Sequence, residues 1–212
     1  MTPALLTEFA PGISQEDVLR AIAHEIRQPL SAIESIAYYL SMAPPDNDTH
    51  REQLARIQQL VEQSNWILSN GLGIADPRPA EAETIDVAEL ITQTISARPS
   101  TDPPVECQMA ADLPLARLDP CYGRSLIENL LGLFRQVATE THPARVRTSS
   151  VSNAGIEIEV STAAPGYRSI GSLPPGSALS FDCAQRIAAI HGGSCDYSID
   201  PASGIRVRVM LP

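Results

Sequence analysis

From Ser14 to about Met42 the residues Val18, Ile22, Ile26, Leu30, Ile33, Ala37 and Leu40 recur every three or four positions. A second run repeats the pattern with Leu54, Ile57, Val61, Ser64, Ile67 or Leu68, and Leu72. Such spacing lays side chains along one stripe of an α-helix. Ser14, followed by Glu16 and Asp17, supplies an N-cap and an acidic first turn. Pro44-Pro45-Asp46-Asn47-Asp48 breaks the periodicity in a short polar turn, the second helix ends near Gly71 and Gly73, and Asp76-Pro77-Arg78-Pro79 reads as a linker. Two long helices joined by a short turn form an antiparallel hairpin. Both helices are amphipathic, so the hairpin alone cannot bury both stripes. Pairing with a second copy into a four-helix bundle buries them, and a homodimer is expected on packing grounds.

After residue 83 the pattern changes. Thr84–Ile91 mixes a short strand with the start of a helix, and Pro120–Val137 is helical with Leu126, Leu130, Leu131 and Phe134 on one side. Arg145–Ser150 and Ile156–Ser161 alternate as strands around a turn at Asn153-Ala154-Gly155. Ala178–His191 reads as a helix and Gly204–Leu211 as a final strand. The expected fold class is α+β: a helical hairpin over 1–76, a linker over 77–83, and an α/β sandwich over 84–212.

Composition narrows the functions. Fifteen basic against 25 acidic residues give a net charge of −10, a poor balance for nucleic-acid or anionic-membrane binding, so protein partners are expected. No apolar run approaches the ~20 residues of a membrane span, and no signal peptide is evident. Cys107, Cys121, Cys183 and Cys195 are scattered, without metal-ligand spacing, so no metal site is expected. A cytoplasmic setting follows.

The chemistry concentrates at His24-Glu25-Ile26-Arg27-Gln28-Pro29-Leu30. Ile22 and Ile26 lie two residues either side of His24, roughly 200° around a helix, so His24 faces solvent if they face the core. A neutral imidazole nitrogen is a competent nucleophile toward phosphorus. Glu25 can orient the ring, Pro29 removes the N–H that would bond the carbonyl of residue 25, and Arg27 can steer an acidic partner or a phosphoryl group. His50 and His142 read as solvated turn residues. This box resembles the phosphoacceptor motif of two-component histidine kinases, His-Glu-hydrophobic-basic-x-Pro-Leu. In that family a Thr or Asn at the position of Gln28 helps place a water for dephosphorylating a response regulator. Gln28 is either an amide for that purpose or a solvated helix residue.

The second half resembles the ATP-binding domain of the histidine kinase, gyrase and Hsp90 superfamily. Gly176 to Gly193 matches the kinase stretch from Gly-x-Gly-Leu-Gly to His-Gly-Gly, with His191 at a structural position, and Asp112-Leu113-Pro114, Asp119-Pro120 and Glu128-Asn129 fall in order. The family's Asn-x-x-x-Asn becomes Asn129 followed by Leu133, which offers no oxygen to Mg²⁺. Its Asp-x-Gly-x-Gly becomes Thr162-Ala163-Ala164-Pro165-Gly166, losing the carboxylate that binds adenine. In Gly176-Ser177-Ala178-Leu179-Ser180 side chains replace phosphate-loop glycines, and the lid is only Tyr167–Pro175. The resemblance with these losses implies a pseudokinase domain that holds neither ATP nor Mg²⁺, hence no cofactor. The expected function is a histidine phosphotransferase relaying phosphoryl groups between response-regulator receiver domains through His24. The alternatives are a divergent histidine kinase autophosphorylating on His24, or a non-catalytic regulator or phosphatase.

Overall fold

The computed structural model describes residues 15–42, 47–75, 80–98, 102–135, 137–151, 155–169, 172–174 and 176–212. The chain divides into two compact units, Met1–Pro77 and Arg78–Pro212. Among the described residues no helix is long and apolar enough to cross a membrane.

The first unit is a hairpin of α1 (Gln15–Met42) and α2 (Asn47–Ala75). The expected cap at Ser14 and the Pro44–Pro45 turn lie outside the described residues. One expectation needs correction. Helix α2 ends at Ala75, near Gly71 and Gly73 as expected but with both glycines inside it, and His50 lies within α2 rather than in a turn. The apolar stripe also divides by function. Ile22 and Pro29 of α1, with Leu60, Ile67 and Gly71 of α2, are buried in the hairpin. Leu19, Leu30, Leu54, Val61 and Leu68 stay exposed in the single chain, leaving apolar surface on both helices.

The second unit layers helices on one face of a sheet. Its elements are β1 (Glu83–Ile85), α3 (Val87–Ser96), β2 (Val105–Gln108), β3 (Ala116–Leu118), α4 (Pro120–Phe134), β4 (Ala144–Val151), β5 (Gly155–Thr162), α5 (Ser177–Ile190), β6 (Ser194–Asp200) and β7 (Gly204–Leu211). β1 pairs antiparallel with β3, and the main sheet runs β2-β4-β5-β7-β6, antiparallel except between β2 and β4. The strands β2, β3 and β6 are additions to the elements read from the sequence.

Alternation sets the layers. Val146 on β4, Ile156, Ile158 and Val160 on β5, and Val207, Val209 and Leu211 on β7 are buried together with Leu126, Leu130, Leu133 and Phe134 of α4 and Ile187 of α5. The opposite sheet face carries a charged ladder. Arg145 pairs with Glu106 at 2.7 Å, Arg206 with Glu159 at 3.2 Å and Arg208 with Asp196 at 3.4 Å. A sheet with one apolar and one charged face covers only one side with helices, as observed.

Candidate functional site: an exposed histidine on a helical hairpin

His24 projects from α1 with its side chain 68% exposed, while Ile22 is buried. The two-residue offset read from the helical period is thus realised: the seam takes Ile22 and solvent takes the imidazole. Glu25 lies toward the hairpin seam, 20% exposed, with Oε1 3.7 Å from His24 Nδ1. That distance is too long for a direct hydrogen bond, yet close enough for a carboxylate to act on the ring. Arg27 and Gln28 are both exposed. Pro29 is buried within a helix that stays continuous, and having no N–H it cannot itself donate to the carbonyl of residue 25. The box therefore combines an exposed imidazole, an adjoining carboxylate and a proline inside a continuous helix.

The nucleotide-type positions form a second constellation, inside the second unit. Asn129 is 1% exposed, and its Nδ2 donates to the Ser125 carbonyl at 2.8 Å and reaches Cys183 Sγ of α5 at 3.5 Å. Leu133, one helical turn later, is 2% exposed in the aliphatic core. Thr162 ends β5, and its hydroxyl donates to the His142 carbonyl at 2.9 Å. Gly166 has φ 96° and its N–H donates to the Pro201 carbonyl at 3.2 Å. Gly176 directly precedes α5 with φ 88°, a conformation glycine adopts freely, and Ser177 and Ser180 behind it are buried. Thus Asn129 and Leu133 share α4, Thr162 lies at a strand end, and Gly176 sits at a helix start.

Sequence reasoning passed over a buried polar junction nearby. Asp119 is 1% exposed; its Oδ1 accepts from the N–H groups of Cys121 at 2.9 Å and Tyr122 at 3.1 Å, capping α4, and its Oδ2 accepts from the Glu81 N–H at 2.8 Å. Its own N–H donates to His191 Nε2 at 3.1 Å, while His191 Nδ1 lies 2.8 Å from the Ile187 carbonyl. The available signal was Asp119-Pro120, an N-cap followed by a first-turn proline.

Comparisons with known proteins converge on this architecture. Residues 14–74 match the His Kinase A (phospho-acceptor) domain. The sensor histidine kinase ZraS of Klebsiella oxytoca is 24% identical over 207 residues, covering 90% of this chain and 44% of the relative. The chain therefore spans less than half the length of that curated relative. Among solved structures, Acinetobacter baumannii histidine kinase AdeS superposes with a TM-score of 0.63 at 14% identity, covering 89% of this chain and 96% of that one. Histidine kinase ThkA in complex with response regulator protein TrrA gives a TM-score of 0.65 at 15% identity, covering 92% of this chain and 61% of that one.

These findings overturn the phosphorelay expectation. The relatives that span the chain are sensor histidine kinases, so a histidine phosphotransfer protein passing phosphate between receivers is not its class. The altered nucleotide-type positions, such as Leu133 and Thr162, lie within a chain that matches a sensor histidine kinase along 90% of its length. A hairpin of the matched type implies dimerisation, and the exposed leucines and Val61 are apolar surface available to it. The chain is histidine-kinase-like, a phosphoacceptor-type hairpin followed by an ATPase-type domain.

Proposed function

We propose that the chain is the phosphoacceptor and ATPase-type portion of a divergent histidine kinase in a two-component system, with His24 carrying the phosphoryl group. The observation that carries this reading is His24 itself: 68% exposed, 3.7 Å from Glu25, on a helix matching a phosphoacceptor domain. With its Nδ1–H turned toward Glu25, the ring presents the Nε2 lone pair outward. Nε2 forms the P–N bond as the donor's bond to phosphorus breaks, and the Glu25 carboxylate offsets the positive charge arising on the ring. Arg27 supplies a fixed positive charge beside the transferred group. The partner is a response-regulator receiver domain, the class of protein with which ThkA was solved. Gln28 shares the exposed side of α1 with His24, within reach of that partner's phosphorylated site.

Purified chain incubated with labelled ATP and Mg²⁺ is expected to acquire acid-labile label on His24. His24→Gln abolishes it, and Glu25→Ala lowers its initial rate by about 100-fold or more. Label on another residue, or none on the wild type, overturns this reading.

A second reading has its own support. Leu133 is held in the apolar core where a metal-binding amide is needed, and the Thr162 hydroxyl is engaged by the His142 carbonyl. These residues do not fit Mg²⁺-ATP by the kinase motifs, which favours a kinase-fold regulator or phosphatase that turns over no nucleotide. Calorimetric titration with an ATP analogue and Mg²⁺ separates the two. Saturable heat supports the kinase; its absence, with receiver dephosphorylation that depends on Gln28, supports the regulator.

A further inference from the structure

Gly71 lies inside α2, where glycine costs about 1 kcal/mol relative to alanine. A contact elsewhere accounts for it. A Cβ built at Gly71 would overlap Cγ1 and Cδ1 of Ile22 on α1 and lie 3.6 Å from the Ile22 Cβ. Ile22 is 8% exposed, so it has no solvent side into which to retreat. Isoleucine branches at Cβ and holds largely one χ1 rotamer in a helix, so Cγ1 cannot swing aside. Any side chain at Gly71 therefore pushes the α1 backbone away from α2 at Ile22.

That backbone carries the chemistry. His24 follows Ile22 by two residues and projects to the opposite side, while Glu25 sits near the seam with its carboxylate 3.7 Å from the imidazole. The seam contact at Ile22 thus sets where the turn bearing both groups stands relative to α2.

We propose that Gly71 is a positioning residue for His24. Its missing side chain lets α2 close on Ile22, which holds the His24–Glu25 turn in the geometry that orients the ring. Gly71 touches no reactant; its effect passes through Ile22. The proposal rests on the reading of His24 as phosphoacceptor.

The test is a double-mutant cycle in the full chain with Gly71→Ala, Ile22→Ala and both together. His24 phosphorylation by phosphoramidate, in which Nε2 displaces ammonia from phosphorus, is quantified by mass spectrometry. The rate of His24 carbethoxylation is measured alongside, with circular dichroism to check the helices. Gly71→Ala is expected to lower phosphorylation about tenfold and to change the carbethoxylation rate at least about threefold. Ile22→Ala, which opens a gap at the same contact, shifts both in the same sense. The double variant, where the new methyl fills that gap, returns both to within about twofold of wild type. Should Gly71→Ala lose its helical signal, the comparison of Ile22→Ala with the double variant carries the test. A folded Gly71→Ala with an unchanged carbethoxylation rate overturns the proposal, and so does a double variant no better than Ile22→Ala. A wild type that takes no phosphate but shows the carbethoxylation cycle defeats the phosphoacceptor reading alone and leaves the Gly71 contact established.

Discussion

Cys183 and Cys195 separate by environment from the two cysteines that stay exposed, Cys107 and Cys121. Burial pushes the Cys183 thiol up to about 11, opposed in part by a hydrogen bond from Ser125, and pushes Cys195 up to about 12 with the Asp196 charge adding to it. Thiolate is the reactive form. At pH 8, iodoacetamide is expected to modify Cys107 and Cys121 while leaving Cys183 and Cys195 intact until denaturant is added, as peptide mass mapping can check. The same shifts bear on stability. An unfolded thiol ionises near ~8.5 and the folded ones do so only near 11 or above, so the unfolded chain gains charge first. The thiols' contribution is fully present below that unfolded value and is lost as pH rises toward 11. Urea midpoints of wild type should therefore fall more steeply between pH 9 and pH 11 than those of Cys183→Ser/Cys195→Ser. At this scale the sequence was informative for His24, whose exposure follows from its phase against Ile22. It was silent about Asn129: nothing in its letters said that the amide would be sealed between Ser125 and Cys183.

At the scale of elements, the caps of α3 and α4 do different amounts of work. Asp86 accepts from Ala88 and Glu89 at an exposed helix start, an ordinary N-cap. Asp119 caps α4 while also binding the Glu81 N–H, and its backbone ties to His191 at the end of α5, whose ring packs edge-on against Tyr122 at 5.9 Å. Asp119→Ala removes the acceptor of three N–H groups, one of them buried at Tyr122 and two part-buried at Cys121 and Glu81, so a loss of about 2–3 kcal/mol is expected, against ~1 kcal/mol for Asp86→Ala. Urea unfolding followed by far-ultraviolet circular dichroism measures the contrast; equal losses would mean that the junction adds nothing beyond capping. Legibility tracked the strength of periodic signals. The helices α1, α2, α4 and α5 announce themselves by apolar spacing, and β4, β5 and β7 by alternation. β2 is an edge strand with scarcely any burial contrast, and β3 has three residues, so neither carries a readable period. β6 held a weaker signal in Cys195, Tyr197 and Ile199, diluted by exposed Asp196 and Ser198. A glycine near a helix end usually marks the stop, and α2 does end at Ala75, but Gly71 also marks a close approach between helices, which no periodic signal shows.

For the molecule as a whole, the two units solve the burial problem differently. The second has a closed core: helices α4 and α5 pack on the apolar face of a five-stranded sheet, α3 packs against α4, and the charged sheet face needs no cover. The hairpin buries one seam and still exposes Leu19, Leu30, Leu54, Val61 and Leu68. Covering a large aliphatic side chain is worth about 1.5–3 kcal/mol, and a helical hairpin has few other reserves. Dimerisation should then stabilise the hairpin by mass action and leave the second unit nearly unaffected. Thermal unfolding is expected in two steps, one rising with protein concentration and one that does not. Scanning from micromolar to hundred-micromolar protein, with the near-ultraviolet signal of Trp66 as reporter on α2, assigns the steps. Leu30→Glu and Val61→Glu place charges on the exposed stripe without touching the buried seam. Each should lower the concentration-dependent step by several degrees and leave the other where it was. A Trp66 transition independent of concentration would mean that the hairpin is complete in one chain, and that its exposed apolar residues serve a partner other than a second copy.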